Sequence, residues 1–229
     1  MIKSQLQISR RWFLRGSLAS ILLSSCGENR LARTIIDAYK LTFQDHPSPP
    51  LTREYITKLP YASISAKIGK GPKSLLVLWR VENNEQFWLA EDGVVLGIKE
   101  GRIIKTAGLP ETISGTTSIS TDPVIMGLNK IENISTYERT IDFKQKDSTY
   151  PETIKILSNF SYEGSQKVNI VDIQFDTILV RETCSAKNLN WKFENLFWVD
   201  PETGMVWKSI QHVSRAFAPV ILEVLKPAG

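Results

Sequence analysis

The sequence predicts a mainly β domain, either an antiparallel β-sandwich or an open half-barrel, with one or two peripheral helices. Three observations predict it. From Ala62 onward apolar and polar residues alternate: Ile64, Ala66 and Ile68 against Ser63, Ser65 and Lys67. Turn dipeptides recur between short apolar runs, at Asn83-Asn84, Asp92-Gly93 and Glu100-Gly101. Strand and helix patterns nowhere alternate as a parallel βαβ sheet requires. A chain of 229 residues is long enough to bury one sizeable core.

The elements follow in order. Apolar residues at 32, 35, 36, 39 and 43 fall near one face of a helix over 30–43. His46-Pro47-Ser48-Pro49-Pro50 forces an extended linker. Thr52 is placed to cap a short helical turn before Leu59-Pro60-Tyr61. Strands are predicted around 62–68, 74–82, 86–90, 94–99 and 102–106, a meander of five. The stretch 108–128 is rich in Gly, Ser and Thr and reads as a long loop, with a helical turn beginning at Thr121-Asp122-Pro123. A second β set follows over 135–143, 153–162, 168–182 (one long strand or two), 192–200 and 205–214. The last two form a hairpin over Pro201-Glu202-Thr203-Gly204, and 218–225 is placed to close the sheet.

The N-terminus carries the most specific signal. Ser9-Arg10-Arg11-Trp12-Phe13-Leu14-Arg15 places an arginine pair before an aromatic and a leucine. A short apolar run, Leu18 to Leu23, leads into Leu23-Ser24-Ser25-Cys26. Small residues let a chain lie extended in a peptidase cleft, and the following thiol can accept a diacylglyceryl group. The order predicts a lipoprotein signal peptide over 1–25, lipidation at Cys26, a lipidated segment over 26–50 and one β domain over 51–229. Arg10, Arg11, Phe13 and Leu14 fit the twin-arginine export route, although Sec signals also carry paired arginines. Residue 27 is Gly, not the Asp that tends to hold lipoproteins at the inner membrane. An outer-membrane anchor facing the periplasm is therefore expected.

The leader also accounts for the charge. The whole chain is formally +4 with a pI near 9.0. Residues 1–25 hold four bases and no acid, which leaves 24 basic against 24 acidic residues from Cys26 onward. A neutral mature chain excludes a basic nucleic-acid surface. No segment is apolar over the ~20 residues a membrane helix needs.

No catalytic, metal or cofactor signature is present. Lipidation of Cys26 leaves Cys184 as the only free thiol, and it reads as a buried small hydrophobe. A catalytic thiol would need His46 or His212 beside it. Gly69-Lys70-Gly71-Pro72-Lys73 lacks the Lys-Ser/Thr and following helix of a phosphate loop and reads as a turn. Glu91-Asp92 and Asp200 with Glu202 are acidic clusters at predicted turns; a glycan-cleaving site would need such carboxylates to converge in a cleft. Aromatics mark the predicted strands instead. Phe87-Trp88 and Phe197-Trp198 are adjacent, so their rings point to opposite faces of a strand. With Trp191 they are the candidate ligand or partner aromatics, the outward ring of each pair first.

Further residues carry a family resemblance. Leu59-Pro60-Tyr61-Ala62-Ser63 opens the domain. Gly101-Arg102-Ile103-Ile104-Lys105-Thr106 lies within 93–108, the Asp122-Pro123 unit follows, and Trp191 precedes the run Glu194-Asn195-Leu196-Phe197-Trp198-Val199-Asp200. In this order, over about 30–226, the chain resembles the YjbF/GfcB family of group 4 capsule- and exopolysaccharide-associated lipoproteins. The resemblance implies a β-rich fold, no cofactor, no catalytic residues to carry over, and a non-enzymatic accessory role in polysaccharide assembly or export. Polysaccharide and other export proteins are the implied partners, beside the membrane. The arginine pair departs from the family's usual leader.

Two other functions stay open on the sequence. The hairpin Phe197 to Val206 is also similar to the closing hairpin of periplasmic lipoprotein carriers, which suggests a half-barrel carrying lipid or acyl chains. A polysaccharide-modifying enzyme would require Glu91 or Asp92 to converge with Asp200.

Overall fold

The structure is a computed structural model that describes residues 51–118, 121–130 and 136–228. The leader, the helix read over 30–43 and the proline linker lie outside the described residues.

The fold is mainly β, as the alternation predicts. Among the described residues, twelve strands run in chain order. They are β1 (Ser63–Ile68), β2 (Lys73–Glu82), β3 (Glu85–Ala90), β4 (Val95–Lys99), β5 (Arg102–Ala107) and β6 (Glu111–Thr116). Then come β7 (Tyr137–Gln145), β8 (Glu152–Ile170), β9 (Ile173–Ala186), β10 (Trp191–Val199), β11 (Val206–Gln211) and β12 (Val220–Lys226). They form one sheet in the order β5-β4-β3-β2-β1-β12-β11-β10-β9-β8-β7-β6. The recorded pairings are antiparallel. The first and last strands therefore meet mid-sheet, with Ile64 opposite Val224 and Ile68 opposite Val220.

That order leaves β5 and β6 as the two edges, although they are consecutive in the chain. The sheet curls until these edges lie together, and threonines bridge them. Ile113 N donates to Thr106 Oγ1 at 2.8 Å, and Thr116 Oγ1 donates to Ile104 O at 2.9 Å. Side chains thus occupy edge groups that would otherwise template another strand. The sequence reads 108–128 as loop, whereas β6 occupies Glu111–Thr116. Ile113 is the one large apolar residue in that strand, so no alternation announces it.

Turn chemistry sets the hairpins. Asn83 and Asn84 both take left-handed φ, 52° and 60°, and Glu100 and Gly101 take 46° and 85°. These two-residue turns match the twist of the strands they join. Gly101 is required twice over, because a Cβ there would also sit 2.6 Å from the Val206 side chain.

Among the described residues, two short α-helices sit at the ends of strands. In α1 (Arg53–Lys58), Thr52 caps the first turn by accepting from Tyr55 N at 3.3 Å. In α2 (Pro123–Met126), Asp122 is the N-cap and Pro123 opens the helix. Ile64, Leu76, Trp88, Leu96, Phe143, Ile156 and Leu222 belong to the main core. Val124, Leu128, Val180, Phe197 and Val206 form a second cluster around α2.

The β8–β9 hairpin runs far past its neighbours. The sequence pattern places strands at 153–162 and 168–182 and leaves the residues between them unassigned. The ladder instead continues to Ile170, through a register shift between Tyr162 and Gly164. The resulting arm packs on the outer side of the sheet. Val168 and Ile170 pack with Ile56 of α1, Leu75 and Leu225, and Phe175 stacks on Trp207 at 3.9 Å.

The arm's tip holds Val171 and Asp172 at φ 44° and 66°. A β-branched residue pays for that conformation in strain. Arg53 clasps the tip: Nη2 donates to Ile170 O and Val171 O, both at 3.0 Å, and Nη1 donates to Leu225 O at 3.2 Å. Replacing Arg53 with Ala is expected to cost about 1–3 kcal/mol from these charge-assisted bonds. Hydrogen exchange should show lost protection confined to residues near 166–176. Uniform loss along the whole sheet would contradict a local clasp.

Candidate functional site

The concave face of β7 to β10 is built by alternation. Tyr137, Arg139, Ile141 and Phe143 are buried on β7, and Ile154, Ile156 and Ser158 on β8. Val180, Glu182, Cys184 and Ala186 follow on β9, and Phe193, Asn195, Phe197 and Val199 on β10. Four of these positions are polar or charged where period two calls for apolar residues: Arg139, Ser158, Glu182 and Asn195. They lie together because the registers place Ser158 opposite Cys184 and Asn195 opposite Glu182.

Glu182 is the hub of this cluster and is fully buried. Its Oε2 accepts from Arg102 Nη1 at 2.6 Å and from Asn195 Nδ2 at 2.7 Å. Its Oε1 accepts from Arg139 Nη1 and, at 3.2 Å, from Arg102 Nη2. Arg102 turns its other edge to Asp122, with Nε on Oδ2 at 2.8 Å and Nη2 on Oδ1 at 2.9 Å. Asp122 Oδ1 also accepts from Val124 N at 2.9 Å. Two arginines and two carboxylates thus form a neutral quartet that ties α2 to β5, β7 and β9. The Arg102 guanidinium lies 5.1 Å from the Phe197 ring centroid.

The electrostatics follow from the packing. Burial by itself would raise the Glu182 carboxyl. Arg102 and Arg139, with bonds from Arg102 and Asn195, outweigh it and hold Glu182 well below the usual carboxylate range. Cys184 is buried as predicted, beside Ser158 Oγ at 3.5 Å and Arg139 Nη2 at 3.8 Å. Burial first, then the Glu182 charge, pushes its thiol up to about 11, which keeps it a thiol at neutral pH. His212 sits elsewhere: its Nδ1 is 3.0 Å from Glu194 O, its ring lies 5.1 Å from Phe193, and burial lowers its pKa.

The acidic clusters cap turns. Asp92 Oδ1 accepts from Val94 N at 3.1 Å. Asp200 Oδ1 accepts from Thr203 N and Glu202 N at 2.8 and 3.0 Å, and Oδ2 accepts from Trp207 Nε1 at 3.3 Å. These bonds, the Thr203 N–H first, lower the Asp200 pKa.

The aromatic pairs divide between faces as their adjacency requires, and both faces are covered. Phe87 lies on the outer face against Gly97 of β4, beneath Arg80 at 4.5 Å and Lys105 at 5.8 Å. Trp198 lies under the arm, its Nε1 donating to Gln166 Oε1 at 2.9 Å and Lys208 lying 5.3 Å from its ring. Phe197 is fully buried in the core around α2. Trp191 stacks on Phe193 at 4.1 Å and meets Phe143 edge-on at 6.0 Å. Trp88 points into the main core and also lines a cleft of about 530 Å³. Cys26, Arg10, Arg11, Phe13 and Leu14 lie outside the described residues.

That cleft opens where several chain reversals gather at one end of the sheet. The β2–β3, β4–β5 and β10–β11 turns, α2 and the end of β12 all border it. Sequence reasoning missed both the cleft and the quartet. Arg139 and Glu182, opposite charges standing at apolar positions of alternating strands, were the available signal for the quartet.

Comparison with known proteins agrees with this fold. The family model described as "Group 4 capsule polysaccharide lipoprotein gfcB, YjbF" matches residues 36–225. The uncharacterized lipoprotein GfcB of Escherichia coli (strain K12) is 26% identical over 212 residues, covering 93% of this chain and 97% of GfcB. The uncharacterized lipoprotein YjbF of the same strain is 25% identical over 213 residues, covering 92% of this chain and 96% of YjbF. The crystal structure of the hypothetical lipoprotein YmcC from Escherichia coli (K12) superposes with a TM-score of 0.75 at 25% identity, covering 85% of this chain and 97% of YmcC. With a family model spanning the β domain from before α1 into β12, this chain belongs to the YjbF family of group 4 capsule polysaccharide lipoproteins.

Proposed function

We propose that this chain is an outer-membrane lipoprotein, anchored through Cys26 and facing the periplasm, that acts as a non-enzymatic accessory factor in capsule or exopolysaccharide assembly and export. The observation that carries the reading is family membership: the matching description names a group 4 capsule polysaccharide lipoprotein. The leader supports the anchor, since Ser24-Ser25-Cys26 follows a short apolar run, and Gly27 favours the outer membrane. Arg10, Arg11, Phe13 and Leu14 favour export through the twin-arginine route.

The chemistry of the buried groups supports a role without catalysis. Each charged side chain of the quartet is engaged with another member. The Cys184 thiol is held protonated, and the Asp92 and Asp200 carboxylates cap their own turns. The partners on this reading are the membrane, other export proteins and the polysaccharide. Deleting the gene in its native host should abolish or strongly reduce surface and secreted polysaccharide, and the wild-type gene should restore it. Unchanged polymer in the deletion strain would overturn the reading.

A further inference from the structure

We infer that the cleft beside Trp88 is a binding site for a short, uncharged, polyhydroxylated ligand, a segment of oligosaccharide. Its volume of about 530 Å³ lies within the range of small-molecule sites, ~300–1,000 Å³. Its floor is apolar, from Ile64, Trp88, Ile98 and Leu222. Its charged lining residues are Glu100, Lys130, Lys208 and Glu223, two of each sign, and Lys208 pairs with Glu223 at 3.4 Å. Such a balance favours a ligand without net charge.

Orphaned polar atoms define the ligand's chemistry. Trp88 is 3% exposed, yet among the described residues its indole Nε1 has no hydrogen-bond partner. A buried donor left unmade costs its full desolvation. Asn129, in the turn after α2, also lines the cleft, and its buried Oδ1 is likewise unpartnered. The orientation of that amide is set by its other end, since Nδ2 faces Glu202 O at 3.3 Å and Pro201 O at 3.4 Å. Two residues of the cleft wall therefore carry one buried donor and one buried acceptor, both unmatched among the described residues, which a ligand reaches once their side chains turn toward the cleft. A sugar hydroxyl both accepts and donates, and the C–H faces of a pyranose suit an apolar floor. An acyl chain would leave both polar atoms stranded.

The inference rests on the capsule-linked reading for its setting. The test uses the full-length lipidated protein in lipid nanodiscs, probed with short oligosaccharides released by partial hydrolysis of the host's surface polymer. Saturation-transfer NMR should show contact with the sugar C–H groups. Trp88→Phe keeps an aromatic face but removes the N–H and part of the indole, so the melting midpoint should fall somewhat and affinity, measured well below that midpoint on folded protein, should fall about three- to tenfold. Trp191→Phe, outside the cleft, should bind as wild type. No transfer to wild type, equal affinity of Trp88→Phe, or competition by decanoate with no sugar contact would each overturn the inference. A deletion strain that loses polymer while the protein binds no oligosaccharide would sink this site and leave the assembly role standing. Binding without a polymer defect would do the reverse.

Discussion

Replacing Glu182 with alanine is expected to cost about 3–5 kcal/mol of folding stability, the range for breaking a buried ion pair by removing one partner. The cost arises because Arg102 and Arg139 stay buried while only Asp122 remains to offset them. Glu182→Gln keeps the shape but removes the charge, and should recover little of the loss. Arg181→Ala, one residue away on the other face of the strand, removes the Glu163 and Glu194 pairs and should cost far less, because water screens those pairs. Denaturant midpoints of the three variants measure the contrast.

The same residue sets an acid dependence. The folded Glu182 pKa is depressed below that of an unfolded glutamate, ~4.3. Its contribution is therefore present in full above the unfolded value and lost as pH falls below it toward the folded one. Wild type should lose stability steeply below about pH 4, and Glu182→Ala should show a shallower slope there. Equal slopes, or a Glu182→Ala cost near that of Arg181→Ala, would contradict the neutral quartet.

Phe197→Ala should produce the second large effect, about 3–5 kcal/mol for emptying a fully buried aromatic site. Phe197 packs with Val124, Leu128 and Val180 and carries Arg102 above its ring. Its loss therefore loosens α2 and the quartet together. Trp198→Ala, the next residue, should act differently. It removes a half-buried ring from beneath the arm and one bond to Gln166. The expected result is a smaller loss of stability, with hydrogen exchange raised in the arm rather than in β9 and β10. Matching costs and matching exchange patterns would mean that the two faces are not separate structural units.

How far the fold was legible can be judged at particular residues. Ile64, Ala66 and Ile68 alternate cleanly, so β1 and its inward face were readable, as were the Asn83-Asn84 and Glu100-Gly101 turns. Thr52 and Asp122 announced their helices because capping is local chemistry. β6 was hidden, because a polar edge strand closed by threonine side chains carries no alternation. The arm was legible in part: 168–182 read as one long strand or two, but the polar stretch between Tyr162 and Val168 was not read as strand, and packing against α1, Trp198 and Trp207 shows why it stays extended. The pairing of β1 with β12 spans the whole domain, and no local pattern encodes it.

The candidate site was less legible than the fold. Phe87-Trp88 and Phe197-Trp198 were rightly split between two faces, but the outer rings are covered by Arg80, Lys105 and the arm. Of these four rings, the one that lines the cleft is an inner one, Trp88. Its solvent-side neighbours come from turns far apart in sequence, Asn84, Glu100, Asn129 and Thr203 among them. Convergence of that kind depends on strand order, which periodicity does not carry.

On the proposed reading, the anchor at Cys26 matters to function as much as the β domain does. Cys26→Ala at matched expression in the deletion strain tests that most directly, with surface polysaccharide as the readout. The protein is predicted to leave the membrane fraction and to restore no polymer, while wild type restores it. Full polymer from an unanchored, folded Cys26→Ala protein would contradict an anchored assembly factor.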